Sequence, residues 1–351
     1  MKQKFRLALV VGALLSAGFS TQGVAAPAKK DAHVAGKTAH HSTHKTAHKS
    51  ASKAAPKVAA KSTKKHHKIA HAPVVKPMSV AAVHKPMRKV AFSDMDPDRL
   101  ALYSASALVI DQVTGQSLLD KNSHEVVPIA SISKLMTAMV VLDAKLDLNE
   151  VIAIGDEDVD GLKGTRSRLP VGTTMTRETA MLLALMSSEN RAAHTLGRHY
   201  PGGLSAFVSA MNRKAQSLGM NSSRFEEPTG LSSNNVSTAR DLARMVTAAA
   251  RYPEIRAFST TAEATLELNG RVHRFGTTNP LVRSDNWEIG LSKTGYISEA
   301  GRCLVMQARV ADKPVVIVLL DSAGKMTRVG DANRIKRWME SAGLAADRKP
   351  A

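Results

Sequence analysis

The sequence predicts an α/β fold of the α+β kind, an antiparallel sheet flanked by helices with an all-helical subdomain inserted. Three observations carry this. Strand-like runs occur early, at 105–110 and 117–120, and again late, at 290–296, 302–310 and 314–320. Helical patterns fill the interval between them. One further helical pattern, 328–342, closes the series. A sheet exposes two faces that need cover, so strands from both ends of a chain with helices between them fit one sheet and an inserted lobe.

Each element has a local cause. The first two strand-like runs flank Asp111-Gln112-Val113-Thr114-Gly115, a glycine-containing hairpin turn. Leu135, Met136, Ala138, Met139, Val140 and Leu142 make the next helix apolar on nearly all sides, so it is expected to be buried. Residues 165–176 read as a loop whose last residue, Thr176, caps a helix through Met181, Leu182, Leu183, Leu185 and Met186. A second helix, through Ala192, Leu196 and His199, follows a polar break at 187–190, and two more are expected at 203–218 and 238–250. The inserted subdomain therefore spans about 143–255. In the last helix Ile335, Trp338 and Met339 share one face, and Gly343 is expected to end it.

Charge divides the chain. Of 351 residues with a net charge of +19, the stretch 27–92 holds 15 Lys and Arg against one acid, Asp31, and 9 of the 13 histidines. Residues 93–351 are close to neutral. The stretch 27–92 is too polar to bury a core and is expected to be a disordered linker. Before it, Lys2, Lys4 and Arg6 precede an apolar run from Leu7 to Phe19 and small residues ending at Ala26, the pattern of a signal peptide over 1–26. The folded domain is expected at 93–345, with a short disordered tail at 346–351. Cys303 is the sole cysteine, so an internal disulfide is excluded.

Three short motifs carry chemistry. Ser131 and Lys134 open the apolar helix, three residues apart and so on one helix face. A lysine one turn into a buried helix loses hydration, which lowers its pKa and frees the amine to act as a base. Ser131 is then a nucleophile, or else a helix cap with Lys134 as decoration; the pair alone leaves both open. Ser188 and Asn190 sit in the break between two helices, where a hydroxyl and a carboxamide can point into one cleft. Lys293-Thr294-Gly295 follows Gly290 on an edge-like strand, where glycine permits close approach of a ligand backbone.

Taken together, Ser131/Lys134, Ser188/Asn190 and Lys293-Thr294-Gly295 resemble the triple signature of penicillin-recognising serine enzymes. The chain resembles the low-molecular-mass serine D-Ala-D-Ala peptidases over about 95–342, and is most similar to the penicillin-binding protein 7/8 endopeptidases. Supporting stretches are Ser167 to Gly172, Phe225 with Gly230-Leu231, Ser237 to Ala243, and Lys293 to Ile297. The resemblance implies a β-lactamase/transpeptidase-like fold and an acyl-enzyme on Ser131. It implies Lys134 as the base, kept neutral with help from the Lys293 ammonium, and Ser188 as the proton relay. Asn190 would hold the acyl side chain, the N–H groups of Ser131 and Tyr296 the oxyanion, Thr294 a substrate carboxylate, and Arg328 a second contact to that carboxylate. Gly295 belongs to the same strand motif.

Peptidoglycan is the implied substrate, β-lactams the implied covalent inhibitors, and no cofactor or metal is implied. Endopeptidase over carboxypeptidase follows from the resemblance and from the chain ending soon after the last helix. A secreted β-lactamase would need a deacylating glutamate in Glu-x-x-Leu-Asn, and Glu226-Glu227-Pro228-Thr229-Gly230 lacks the Leu-Asn. An inactive wall-binding domain is the remaining rival. The leader argues for a periplasmic protein and against nucleic acid as the partner of the basic linker. An anionic wall or membrane surface fits it better, as does a plain tether of about 45 Å r.m.s. reach.

Overall fold

The computed structural model describes residues 100–346, with side chains to residue 342. The expected signal peptide, the basic linker and the tail beyond 346 lie outside the described residues.

The hairpin of β1 (Ser104–Asp111) and β2 (Ser117–Lys121) turns through Gly115 at φ +73°. The short β3 (Val127–Pro128) leads into a 3₁₀ turn, Ala130–Ser133, and directly into α1 (Lys134–Asp143). β4 (Val151–Ala153) pairs with β5 (Thr174–Thr176), and α2 (Arg177–Met186), α3 (Asn190–Arg198) and α4 (Gly203–Ser217) follow. β6 (Val236–Ser237) returns to pair with β3, ahead of α5 (Ala239–Ala249) and α6 (Pro253–Thr260). A hairpin of β7 (Glu263–Leu268) and β8 (Arg271–Gly276) precedes β9 (Glu288–Ile297), β10 (Gly301–Val310), β11 (Lys313–Ser322) and α7 (Thr327–Ala346).

The main sheet has the order β2-β1-β11-β10-β9, so the N-terminal hairpin docks on the C-terminal strand. β1 and β11 run antiparallel from Ser104 opposite Ser322 to Asp111 opposite Val315. Strand alternation sends successive residues to opposite faces. Ala107, Val109, Leu304, Met306, Ile317 and Leu319 face α7, which covers them with Val329, Ala332, Ile335 and Met339. Leu108, Val305, Val316, Val318 and Leu320 share the other core with α1, α5 and the insert. Each such side chain contributes about 1.5–3 kcal/mol when fully buried. Asp331 of α7 pins the start of β1 by accepting from the Ser104 backbone N–H at 2.7 Å and the Ser104 hydroxyl at 2.7 Å.

The expected strands and helices are present with boundaries shifted by a few residues. Thr176 caps α2 by accepting from Thr179 N at 3.1 Å. Three expectations need correction. The insert is mainly helical but also carries the ribbons β4–β5 and β3–β6, and residues 174–176 of the expected loop are strand. Helix α6 and the β7–β8 hairpin lie where no element was expected. Helix α7 runs past Gly343 to Ala346, because Leu344, Ala345 and Ala346 favour the helix enough to absorb about 1 kcal/mol for one glycine.

Candidate active site

The site is built around residues 129–134. Ala130 has φ +49°, a left-handed conformation costly for a residue with a Cβ. Two glycines clamp this segment. A Cβ on Gly230, itself at φ +82°, would lie 1.9 Å from the Ala130 carbonyl oxygen. A Cβ on Gly295 would lie 2.9 Å from the Ile129 oxygen and 3.1 Å from the Ser131 nitrogen. Thus β9 approaches the serine backbone closely only because residue 295 has no side chain. Buried Asn235 ties the segment from behind. Its carbonyl accepts from Ile129 N at 3.0 Å, and its amide donates to Ser133 Oγ at 3.0 Å and to the Glu227 carbonyl at 2.8 Å.

Ser131 is not a cap. Helix α1 has no side-chain cap, and Ser131 Oγ lies 2.9 Å from Lys134 Nζ. Lys134 is fully buried and also meets Asn190 Oδ1 at 2.8 Å and the Thr229 carbonyl at 2.6 Å. Burial pushes its pKa down to about 7, against the opposing pull of Glu227 and Glu189. A neutral amine has two hydrogens and one lone pair. The two carbonyl oxygens are acceptors only, so they take the hydrogens. The lone pair then faces Ser131, the one partner able to donate.

A second buried lysine stands across the cleft. Lys293 Nζ donates to Ser188 Oγ and to the Thr294 carbonyl, each at 2.9 Å. Its pKa is pushed well below the usual lysine value by burial, then by the charges of Lys134 and Arg328. Burial is the first cause lowering both lysines, and the repulsion between Lys134 and Lys293 acts beside it, since like charges disfavour each other mutually. Ser188 itself is held at φ +61° where α2 ends.

Arg328, in the first turn of α7, is only 9% exposed, and its Nε and Nη1 have no hydrogen-bond partner among the described residues. Burial and the neighbouring Arg302 lower its pKa. A buried cation with unused donors beside Lys293 is suited to an anion. Thr294 donates its hydroxyl to Thr278 Oγ1 at 2.7 Å. Tyr296 is 55% exposed, and its ring stacks under the Arg302 guanidinium at 4.3 Å. Edge strand β9 leaves alternate backbone N–H groups without a strand partner.

Hydrogen bonds join Ser131, Lys134 and Asn190 and join Ser188 to Lys293, Gly295 lies against the Ser131 backbone, and Arg328 is near enough to Lys293 to lower its pKa. The sequence reading missed Thr229, Glu227, Asn235, Thr165 and Thr278. Gly230 was the available signal for the first two, since a glycine before an apolar residue marks a turn. Glu227 organises that turn, accepting from Thr229 N at 2.6 Å, Thr229 Oγ1 at 2.5 Å and Gly230 N at 2.6 Å. Glu226 accepts from Ser232 Oγ at 2.5 Å and from the Asn234 amide. Glu189, whose direction the sequence left open, is buried and accepts from Ser167 Oγ at 2.8 Å and Arg168 Nε at 3.2 Å. Cys303 is buried and donates to the Ala300 carbonyl, with its pKa pushed up to about 11 by burial.

A helix-start serine with a buried lysine base, clamped against the edge strand of such a sheet, defines an active-site-serine enzyme of the β-lactamase/transpeptidase fold. Residues 92–324 match the D-alanyl-D-alanine carboxypeptidase family, peptidase S11, and the chain belongs to that family. It is 50% identical over 252 residues to the D-alanyl-D-alanine endopeptidase of Pseudomonas aeruginosa, covering 71% of this chain and 81% of that one. To the D-alanyl-D-alanine endopeptidase of Escherichia coli K12 it is 49% identical over 240 residues, covering 68% and 77%. Among solved structures it resembles the Streptomyces K15 DD-transpeptidase, with TM-score 0.63, 26% identity, and coverage of 70% of this chain and 98% of that one. It also resembles penicillin-binding protein D2 of Listeria monocytogenes in its ampicillin-bound form, with TM-score 0.59, 28% identity, and coverage of 68% and 98%.

Proposed function

We propose that this protein is a serine DD-endopeptidase that hydrolyses D-Ala–diamino acid cross-links in peptidoglycan through an acyl-enzyme on Ser131. The observation that carries it is the buried Lys134 amine, 2.9 Å from Ser131 Oγ, with both its other partners acceptors.

Ser131 Oγ attacks the D-Ala carbonyl carbon as its proton passes to Lys134. The new C–O bond forms and the oxyanion is taken by the N–H groups of Ser131 and Tyr296, worth about 3 kcal/mol per well-aligned donor. The C–N bond then breaks. The proton held by Lys134 is relayed through Ser188, itself bonded to Lys293, to the leaving amine, so Ser188 keeps its hydroxyl and Lys134 is neutral again. Asn190 holds the acyl side chain. The Thr294 hydroxyl turns from Thr278 Oγ1 to donate to the α-carboxylate beside the scissile bond, and the unused donors of Arg328 supply its second contact. Water finally cleaves the ester and restores Ser131.

The same acylation makes β-lactams covalent inhibitors, which the ampicillin-bound Listeria neighbour supports. Neither Glu226 nor Glu227 is free to activate a water, because both carboxylates are committed to the 226–234 loop. That supports slow release of penicillin and a lasting adduct rather than β-lactamase turnover. The endopeptidase names of the two relatives near 50% identity favour cross-link cleavage, and the family description supports D-Ala-D-Ala carboxypeptidase action as the second reading. The leader-like start supports periplasmic localisation, and the basic stretch 27–92 supports salt-sensitive retention on an anionic wall.

Digestion of purified muropeptide dimers with product masses tests this. Monomers with the cross-link amide hydrolysed are expected. Loss of terminal D-Ala with intact dimers would leave the carboxypeptidase reading, and no product at all would leave an inactive wall-binding domain.

A further inference from the structure

We propose that Asp160 and Thr165, in the loop between β4 and β5, are positioning residues that fix the orientation of the Asn190 amide and thereby aim the Lys134 lone pair at Ser131. This rests on the functional reading above.

The argument is one of donors and acceptors. Asp160 folds its loop around its carboxylate. Oδ1 accepts from Leu162 N at 2.8 Å and Lys163 N at 2.9 Å, and Oδ2 accepts from Thr165 N at 2.8 Å and Thr165 Oγ1 at 2.7 Å. Those hydrogen bonds, chiefly from the Thr165 hydroxyl, hold its pKa below the usual carboxylate value despite partial burial. An ionised carboxylate only accepts, so the Thr165 hydroxyl proton is committed to Asp160. Thr165 Oγ1 can then only accept from its other neighbour, Asn190 Nδ2, at 3.0 Å. A primary amide whose nitrogen is held on one side must present its oxygen on the other. Asn190 Oδ1 therefore faces Lys134 Nζ at 2.8 Å. With Thr229 O as the second acceptor, both hydrogens of the neutral amine are consumed and the lone pair is left for the Ser131 hydroxyl. Each link from Asp160 to Ser131 has one direction.

Without Thr165 the amide can turn its Nδ2 toward Lys134. An N–H there disfavours the ammonium and competes with Ser131 for the lone pair. Two consequences follow that loosening of an exposed loop would not produce together. Acylation slows at its high-pH plateau, and its rise with pH moves to lower pH. Water admitted by a damaged loop would instead restore hydration to Lys134 and move the rise upward. The charged groups around Lys134 are Glu189 from the α2–α3 turn, Glu227 from the 226–234 loop and Lys293 from β9, with Asp160 beyond Asn190. All of them stay in place in the Thr165 variants, which carry the test; Asp160→Asn removes the Asp160 charge as well as its hold on the Thr165 hydroxyl.

The test is the rate of Ser131 acylation by a fluorescent penicillin from pH 5 to 9, with wild type, Thr165→Val, Thr165→Ser and Asp160→Asn. Thr165→Val keeps the shape of an exposed side chain and removes the hydroxyl, so the fold is retained. Expected are a plateau lowered about tenfold with the rise moved to lower pH in Thr165→Val, the same direction in Asp160→Asn, and near wild-type behaviour in Thr165→Ser. An unchanged Thr165→Val overturns the proposal. So does a slowed variant whose pH rise is unmoved or moved upward, and so does a Thr165→Ser as impaired as Thr165→Val. A wild type that is never labelled at Ser131 overturns the functional reading itself, and this inference with it.

Discussion

The floor of the cleft and its lip are built on opposite principles. On the floor, Ser133, Lys134, Asn235, Lys293 and Thr294 are buried and hydrogen-bonded inside the protein, and glycines 230 and 295 let two backbones touch the serine segment. On the lip, the contacts are exposed. Lys163 pairs with Glu299, joining the 159–165 loop to the β9–β10 turn, and Arg168 lies over the Phe275 ring at 4.2 Å. Exposed ion pairs are screened and worth little, while an unpaired buried group costs its full desolvation. The floor therefore has one workable arrangement, and the lip's outward contacts, Lys163 with Glu299 among them, are free to vary, unlike the Asp160–Thr165 pair that reaches inward to Asn190. Arg328 is the exception that fits the rule, a buried floor residue whose unused donors suit an incoming anion.

Substitutions sharpen or break this contrast. The largest effect is expected at the nucleophile. Ser131→Ala should form no penicillin adduct by intact mass, and Lys134→Arg, which cannot give up its proton, should slow acylation by about a thousandfold while still folding into the fluorescence-monitored native state. Next is Gly230→Ala. Its Cβ would meet the Ala130 carbonyl in a left-handed backbone, so urea unfolding should show a loss of about 3 kcal/mol and labelling should fall with it. Asn235→Ala leaves Ile129 N paired, since that bond uses the Asn235 backbone, and leaves the Ser133 hydroxyl donating to the Ala130 carbonyl, but strands the Glu226 N–H and removes the amide donor to the Glu227 carbonyl. A loss of about 2 kcal/mol by the same assay is expected. The smallest effect belongs to the lip. Lys163→Ala should leave thermal stability unchanged and alter acylation by less than about threefold. A large defect there, or a silent Gly230→Ala, would reverse the division between floor and lip.

Much of this was readable in the sequence because it depends on residue types at fixed spacing. Short strand-like runs spaced by turn residues located the five strands of the sheet, and the apolar run after Lys134 announced a buried helix. The three motifs identified the nucleophile, the base and the strand that faces them. The β7–β8 hairpin was missed although Glu263–Leu268 alternates, with Ala264, Leu266 and Leu268 on its core face, and Asn269-Gly270 at the turn carries the dipeptide that favours positive φ; the second strand, Arg271–Gly276, offers no such apolar face in the sequence. Helix α6 escaped because eight residues after a proline give too short a period to count. The acceptor set around Lys134 was not legible at all. Thr229 contributes a backbone carbonyl, which no residue type advertises, and the direction of the Asn190 amide depends on a loop 25 residues away. The lowered Lys134 pKa was readable in kind, because a lysine one turn into an apolar helix must lose hydration, and burial is its first cause in the folded protein.

The central claim is that Lys134 reaches neutral pH as an unprotonated base aimed at Ser131, and the pH dependence of Ser131 acylation tests it most directly. The base is the neutral amine, so the rate should rise with pH. Because burial brings the Lys134 pKa to about 7, the wild-type rise should be centred near pH 7 and level off above it. A rate that is flat from pH 5 to 9, or that climbs only above pH 9 as an ordinary lysine would require, would contradict it.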